Sequence, residues 1–245
     1  MLATLRTVLV SIPAVSVYTL VCGSVSLLLA LVFRSGEPSH RVARLWAWLI
    51  LKTCGVKVSI SGLDNVEPDA TYVFAANHQS LFDIPILFAH LPMSFRILYK
   101  QSLNAVPFLG WHLFLSGHIS VDRGNPVRAH QSIERAAEHV GGGTSVVIFP
   151  EGTRSFDGSL GRFKPGSFWL AVKAAVPVVP VTICGSWKVM SRGRVTVRPG
   201  TVRVHVDRPI LTQALDEDSV RCLSRTVREV VGRNYGQSPL PASSS

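Results

Sequence analysis

The stretch YVFAANHQSLFD, residues 72–83, decides how this chain is read. Its first five residues are aromatic, β-branched or small and carry no charge, the pattern of a short strand buried on both faces. At Asn77 that pattern stops and a polar run begins, in which His78 is followed five residues later by Asp83. Sites in α/β proteins gather at the carboxyl ends of strands. A His held there, with an Asp across the first turn of the following helix, has a ring that the carboxylate can orient and whose positive charge it can stabilise. Such a ring suits general-base work on an alcohol of very high pKa, worth roughly 10² to 10⁴ in rate. A buried hydrogen-bonding His beside a helix-start carboxylate would use the same two residues, so the pair alone leaves both readings open.

Working outward, runs of the same kind recur at 56–61, 95–99, 119–122, 145–149 and 178–183, with helical stretches between them. This alternation implies the α/β class: a mixed, mostly parallel sheet flanked by helices. One connecting helix is marked by Asn125 as N-cap, Pro126 at its first position and Ile133, Ala136, Ala137 and Val140 on one face, with Gly141 to Gly143 ending it. Val195 to Val197 and Val202 to Val206 alternate around Pro199-Gly200, which predicts an antiparallel hairpin at the sheet edge. A last helix bearing Val220, Leu223, Val227, Val230 and Val231 is expected to stop at Gly232.

Residues 7–33 hold no charged side chain. As a helix they would reach about 40 Å, more than the roughly 30 Å core of a bilayer. The excess fits either a tilted span or two short helices bent at Pro13 or Gly23. No small-x-small cleavage site precedes Arg34, so the segment reads as a retained N-terminal hydrophobic helical membrane anchor. Arg34, Arg41 and Arg44 outnumber Arg6 across it, which puts the following domain on the cytoplasmic face of the cytoplasmic membrane. Arg41 to Lys52 reads as an interfacial helix, with Arg41, Arg44 and Lys52 in one arc and Leu45, Trp46, Leu49, Ile50 and Leu51 around the rest. The expected division is anchor and interfacial helix over 1–55, one α/β domain over 56–232, and a disordered tail rich in Ser and Pro over 233–245.

Apolar residues make up 47% of the chain and charged residues only 16%, a balance shifted toward lipid. The net charge of +10 favours anionic partners. Nucleic acid is not among those expected, because the basic residues are scattered and no zinc-finger, RNA-binding or basic-region pattern exists. Cys22, Cys54, Cys184 and Cys222 are far apart without a CxxC, so a reduced, metal-free protein is expected.

Two further segments sit at strand ends. In FPEGTRS, residues 149–155, a glycine lets the backbone turn between Glu151 and Arg154; Arg154 offers a planar fork for phosphate, and Glu151 suits either hydroxyl binding or ordering of the loop. GHISVDR, residues 117–123, brings Arg123 to a third strand end as a second phosphate candidate. Lys100 and Lys164 are further cations, and together the four suggest an anionic substrate.

These segments, with VPVVPV at 176–181, resemble in order and spacing the four motif blocks of the 1-acyl-glycerol-3-phosphate acyltransferase family, and the similarity runs over about residues 56–208. The resemblance implies that His78 is the base and Asp83 its partner, that Arg123 and Arg154 hold the acceptor phosphate with Lys100 as a further phosphate ligand, that Glu151, Gly152 and Thr153 shape the acceptor site, and that Pro180 turns the fourth block. It further implies lysophosphatidic acid as acceptor, an acyl thioester of coenzyme A or acyl carrier protein as donor, membrane lipid as surroundings, no cofactor, and no acyl-enzyme, so Ser80 is not a nucleophile. Two positions depart from the family pattern: Ser102 precedes Leu103 where a Glu is common, and Pro165 stands where a second basic residue is common. An acyl-chain tunnel is expected near Leu81, Phe82, Leu87 and Phe88. Another lysolipid acceptor such as a lyso-ornithine lipid, thioester hydrolysis, and non-catalytic binding of anionic lipid are the competing readings.

Overall fold

The computed structural model describes residues 2–33, 36–106, 108–122, 124, 126–212 and 219–236. Arg34, Arg123, Asn125 and the tail beyond 236 therefore lie outside the described residues, and with them the phosphate role of Arg123 and the N-cap role of Asn125. Among the described residues one sheet is built from β1 (Val56–Ser61), β2 (Val73–Ala76), β3 (Phe95–Lys100), β4 (Ile119–Val121), β5 (Ser145–Ile148), β6 (Val178–Cys184) and β7 (Gly200–Val206), in the order β1-β7-β6-β2-β5-β3-β4. Every neighbouring pair is parallel except β6 and β7. The mixed, mostly parallel sheet flanked by helices is thus present.

The burial of each strand follows its place. Central β2, β5 and β6 are buried at every residue, as unbroken apolar runs require, whereas edge strand β1 alternates. Successive residues of β2 feed opposite layers: Phe74 and Ala76 enter one apolar cluster, Val73 and Ala75 the other. The first layer is closed by α3 (Glu37–Cys54), α4 (Asp83–His90) and the short α8 (Ser186–Val189), the second by α6 (Pro126–Gly141), α7 (Trp169–Lys173) and α9 (Ser219–Gly236). Ile133, Ala136, Ala137 and Val140 of α6 are buried, as their spacing predicts.

Three expectations are corrected. Residues 195–199 form no strand, and β7 pairs in parallel with β1 and antiparallel with β6, so the expected hairpin does not exist. Pro180 lies within β6 opposite Ala75 rather than at a turn. It sits where the neighbour of that edge changes from Ile210 to β7, and its carbonyl accepts the N–H of Asp207 at 3.0 Å. Helix α9 continues through Gly232 to Gly236, so 233–236 belong to the domain: the Asn234 amide donates to Asp207 at 2.7 Å and the Tyr235 hydroxyl to the Gly158 carbonyl at 2.5 Å.

The N-terminal segment runs as α1 (Leu2–Arg6), a π-helical stretch Thr7–Ser11 and α2 (Ile12–Val32), a 30-residue apolar helix over Ala3–Val32 that is long enough to cross a membrane. It does not project away from the domain. Tyr18 meets Thr53, Thr19 meets Trp46 and Ser26 meets Ser39, so α2 runs antiparallel along α3. At the N-terminal end Arg6 donates to the Thr53 carbonyl at 2.8 Å, and the Thr7 hydroxyl accepts the Val197 N–H at 3.0 Å. Both ends of the helix rest on the domain, so a count of charges across it assigns no sides. Helix α3 is a core helix on one face, with Ala47, Ile50, Leu51 and Cys54 buried. Its other face exposes Arg41, Leu45, Trp48 and Lys52, one turn apart in succession.

Candidate active site

Strand β2 ends at Ala76, and Asn77 pins the chain where it leaves the sheet. Its side chain donates to the Ile183 carbonyl at 2.9 Å and accepts the Ile183 N–H at 2.7 Å, continuing the β2–β6 ladder with an amide in place of backbone. Beyond it the chain turns into α4, and Asp83 at its start is wholly buried. One Asp83 oxygen, Oδ2, accepts from His78 Nδ1 at 2.9 Å and from the N–H groups of Gln79 and Ser80 at 2.7 and 2.8 Å. The backbone donors lie before Asp83 in the chain, so the carboxylate ties the turn that leads into α4, and the same oxygen also aims an imidazole.

With Nδ1–H assigned to the Asp83 side from this geometry, Nε2 is left as an acceptor. The ring is stacked on Phe149, centroids 4.0 Å apart and planes 21° off parallel, and the side chain keeps 15% exposure. Ser80 donates its hydroxyl to the Met190 carbonyl at 2.7 Å and is buried, which makes it a strut of the turn.

The second segment closes over the first. After β5, Phe149 and Pro150 lead to a turn at Gly152, whose φ of +74° favours glycine, and a Cβ there would lie 3.0 Å from Lys164 Nζ. Glu151 is buried and uses both oxygens: Oε1 accepts the His78 N–H at 2.8 Å and Oε2 the Gly161 N–H at 3.1 Å. A Cβ at Gly161 would stand 2.6 Å from that oxygen, so the approach needs glycine. Burial pushes the Glu151 carboxyl above its ordinary value, and the two N–H groups pull it back only in part. Of the two roles open to Glu151, ordering of the loop is the one this geometry displays. The Ser155 N–H then donates to the His78 carbonyl at 2.9 Å. From α9, Arg228 reaches the Gly161 and Leu160 carbonyls at 2.9 and 3.3 Å, holding the 158–161 loop against Glu151.

Two cavities flank this loop. An apolar chamber of about 550 Å³ lies among α2, α3, α4, β3 and α5 (Leu109–Leu115), with Cys22, Ala43, Trp46, Leu81, Phe88 and Leu113 in its walls. His78, Lys100, Thr153 and Arg154 also line it. Of the four apolar residues expected at a tunnel, Leu81 and Phe88 face the chamber; Phe82 and Leu87 are packed in the core instead. The second cavity is a polar basin of about 640 Å³, lined by Glu151, Thr153, Arg154, Arg162, Lys164 and Arg192 among others. Thr153 and Arg154 border both. The structure thus gathers His78, Asp83, Glu151, Gly152, Thr153 and Arg154 around one loop, with Lys100 elsewhere on the wall of the same chamber. Phe149, Arg192 and the α2 wall escaped the sequence reading, since a lone aromatic, a distant arginine and an apolar helix carry no local mark of a site.

Four free cysteines, Cys22, Cys54, Cys184 and Cys222, are dispersed through the fold, and among the described residues no group of three or more His, Cys, Asp or Glu side chains is set to hold a metal.

An oriented imidazole at a strand end, facing an apolar chamber and with a cationic basin across the neighbouring 149–154 loop, is the layout of an enzyme that acts on amphipathic, anionic molecules. The acyltransferase family profile matches residues 57–184. A chloroplastic 1-acyl-sn-glycerol-3-phosphate acyltransferase of Brassica napus is 35% identical over 213 residues, which cover 81% of this chain and 61% of that protein. The 1-acyl-sn-glycerol-3-phosphate acyltransferase of Saccharomyces cerevisiae is 31% identical over 207 residues, 83% of this chain and 68% of the yeast protein. The crystal structure of the 1-acyl-sn-glycerophosphate acyltransferase PlsC from Thermotoga maritima superposes with a TM-score of 0.78 at 28% identity, over 95% of this chain and 93% of that one. The chain belongs to the 1-acyl-sn-glycerol-3-phosphate acyltransferase family. It spans about half to three fifths of the length of the relatives from Brassica napus, Arabidopsis thaliana and Chlamydomonas reinhardtii.

Proposed function

We propose that the protein transfers a fatty acyl chain from an acyl thioester of coenzyme A or acyl carrier protein to the free hydroxyl of 1-acyl-glycerol-3-phosphate, giving phosphatidic acid. The observation that carries this is the His78 Nδ1 to Asp83 Oδ2 contact of 2.9 Å beside a chamber that also bears Lys100 and Arg154. Asp83 holds the Nδ1–H, so Nε2 takes the proton of the acceptor hydroxyl as its oxygen attacks the thioester carbonyl. The carbon–sulfur bond breaks, and the proton on Nε2 passes to the departing thiolate. Arg154 and Lys100 grip the acceptor phosphate, and each charge-assisted hydrogen bond of that kind contributes about 1.5–3 kcal/mol. Arg123 is assigned to the same phosphate by resemblance alone. The apolar chamber receives the acyl chain.

The helix pair α2–α3 fits a membrane surface rather than a crossing. A crossing helix would carry one end about 30 Å away through lipid, whereas here the near end is hydrogen-bonded to Val197 and the far end packs on the domain, Gly23 against Phe108 and the turn at Gly36 against Arg96. The apolar flank of α2 and the exposed Arg41, Leu45, Trp48 and Lys52 of α3 then enter the interface together. Free cysteines support the cytoplasmic side. The test is a panel of acceptors given to purified protein with one acyl thioester. Lysophosphatidic acid should be acylated fastest, and a faster rate on a lyso-ornithine lipid, which has no phosphate, would overturn the acceptor assignment.

A further inference from the structure

The basin carries cations of its own, and they are displaced from the chamber. Lys100 lines only the chamber, Arg162, Lys164 and Arg192 line only the basin, and Arg154 stands between. Transfer without an acyl-enzyme requires donor and acceptor together, and both are anionic. The acceptor's phosphate is one carbon from the carbon bearing the reacting hydroxyl, so it cannot leave the neighbourhood of His78 and Arg154. The donor differs: its thioester is joined to its nearest phosphate by the long pantetheine arm.

The two cavities match that shape, an acyl chain on one side of the 149–154 loop and a polar arm ending in phosphate on the other. We infer that the basin is the binding site for the phosphopantetheine phosphate of the acyl donor, held by Arg162, Lys164 and Arg192. The inference rests on the acyl-transfer reading above and deepens it. Arg192 is positioned for the task, since one Nη1–H already donates to the Arg154 carbonyl at 3.1 Å and sets the guanidinium on the basin wall. Lys164 Nζ is settled over Gly152. The carboxylates nearby offset only part of this charge: Asp157 and Glu151 line the basin too, but they face four cations, Arg154, Arg162, Lys164 and Arg192, and the oxygens of Glu151 are already turned onto two backbone N–H groups. The ring of Phe156, 79% exposed, stands on the rim as a platform for a nucleotide base.

The test compares three donors bearing one acyl chain: acyl-coenzyme A, acyl carrier protein, and the phosphate-free acyl-N-acetylcysteamine. Arg162 and Arg192 are exposed, so the Arg162→Ala/Arg192→Ala variant should fold, which its melting temperature checks. The parent should prefer acyl-coenzyme A to the phosphate-free thioester, and the variant should lose at least tenfold of that preference through a raised donor KM. Equal losses with coenzyme A and carrier protein identify the pantetheine phosphate as the ligand; a loss confined to coenzyme A identifies the nucleotide's phosphates. The inference is overturned if the preference is unchanged, or if the KM for lysophosphatidic acid rises in place of the donor's. A parent that acylates no lysophosphatidic acid with any donor sinks the proposed function itself, a separate outcome.

Discussion

Asp83 Oδ2 lies 2.9 Å from His78 Nδ1 while binding the N–H groups of the next two residues, so one buried atom both shapes the turn and aims the ring. The two duties separate on mutation. His78→Ala should lower kcat by about 10²- to 10⁴-fold with little change in melting temperature, because the ring is at the cavity edge. Asp83→Asn keeps the shape but turns charge-assisted bonds into neutral ones of about half the strength, so both kcat and melting temperature should drop. A fully active His78→Ala protein would exclude the base assignment.

Glu151 provides a second separation. Glutamine has one carbonyl for the two N–H groups that Glu151 now satisfies. Glu151→Gln should therefore cost about 1–3 kcal/mol, or roughly 2–4 °C in melting temperature per kcal/mol for a chain of this size. Because the His78 backbone is one of the two partners, kcat should decline about as steeply as stability, with the acceptor KM unchanged. A raised acceptor KM with unchanged kcat would instead assign Glu151 to substrate hydroxyls.

The chamber predicts chain-length selectivity. Ala43 lines it and also a small void next to His40 and Arg96 near the α2–α3 turn. Ala43→Phe fills space there, and each methylene left without room forfeits about 0.8 kcal/mol, nearly fourfold in affinity. The preference of kcat/KM across a series of acyl thioesters should move to shorter chains, and an unmoved profile would mean that the acyl chain lies elsewhere.

Acid sensitivity should come from a buried cluster apart from the reacting groups. Burial, with Arg96 and Arg44 nearby and Glu37 in opposition, holds the His40 pKa down at about 4 from an ordinary 6.5, and burial beside Arg96, His112 and His40 lowers His118 as well. A folded pKa below the unfolded one means the unfolded chain binds more protons, so stability is full above pH 6.5 and declines as pH falls toward about 4. At about 1.4 kcal/mol per pH unit, His40 alone accounts for on the order of 3 kcal/mol. Melting curves in detergent should drop steeply below pH 6.5, less so for His40→Gln. A parent curve flat down to pH 5 would contradict neutral burial of the rings.

Local pattern revealed most of the sheet, because a buried strand must be an unbroken apolar run whatever its partners are. Partnership itself was not legible. Val195 to Val197 alternate like a strand, but β7 finds its parallel mate in β1, far back in the sequence, and alternation says nothing about sequence distance. Gly232 resembles a helix stop, yet it packs near Leu160 inside α9, where tertiary contact outweighs its poor helix propensity. The candidate site was readable because a His, an Asp and an Arg bear their chemistry in their side chains. The α2 wall of the chamber was not, because an apolar helix facing lipid and one facing a ligand are spelled alike.

An apolar helix tethered to its own domain at Arg6 and Thr7, and again at Ser26, has consequences for where new lipid goes. If the protein sits on the membrane in that pose, it dips into a single leaflet, takes its acceptor from there and returns the doubly acylated product to the same monolayer. Growth of the opposite monolayer would then depend on a separate flipping step.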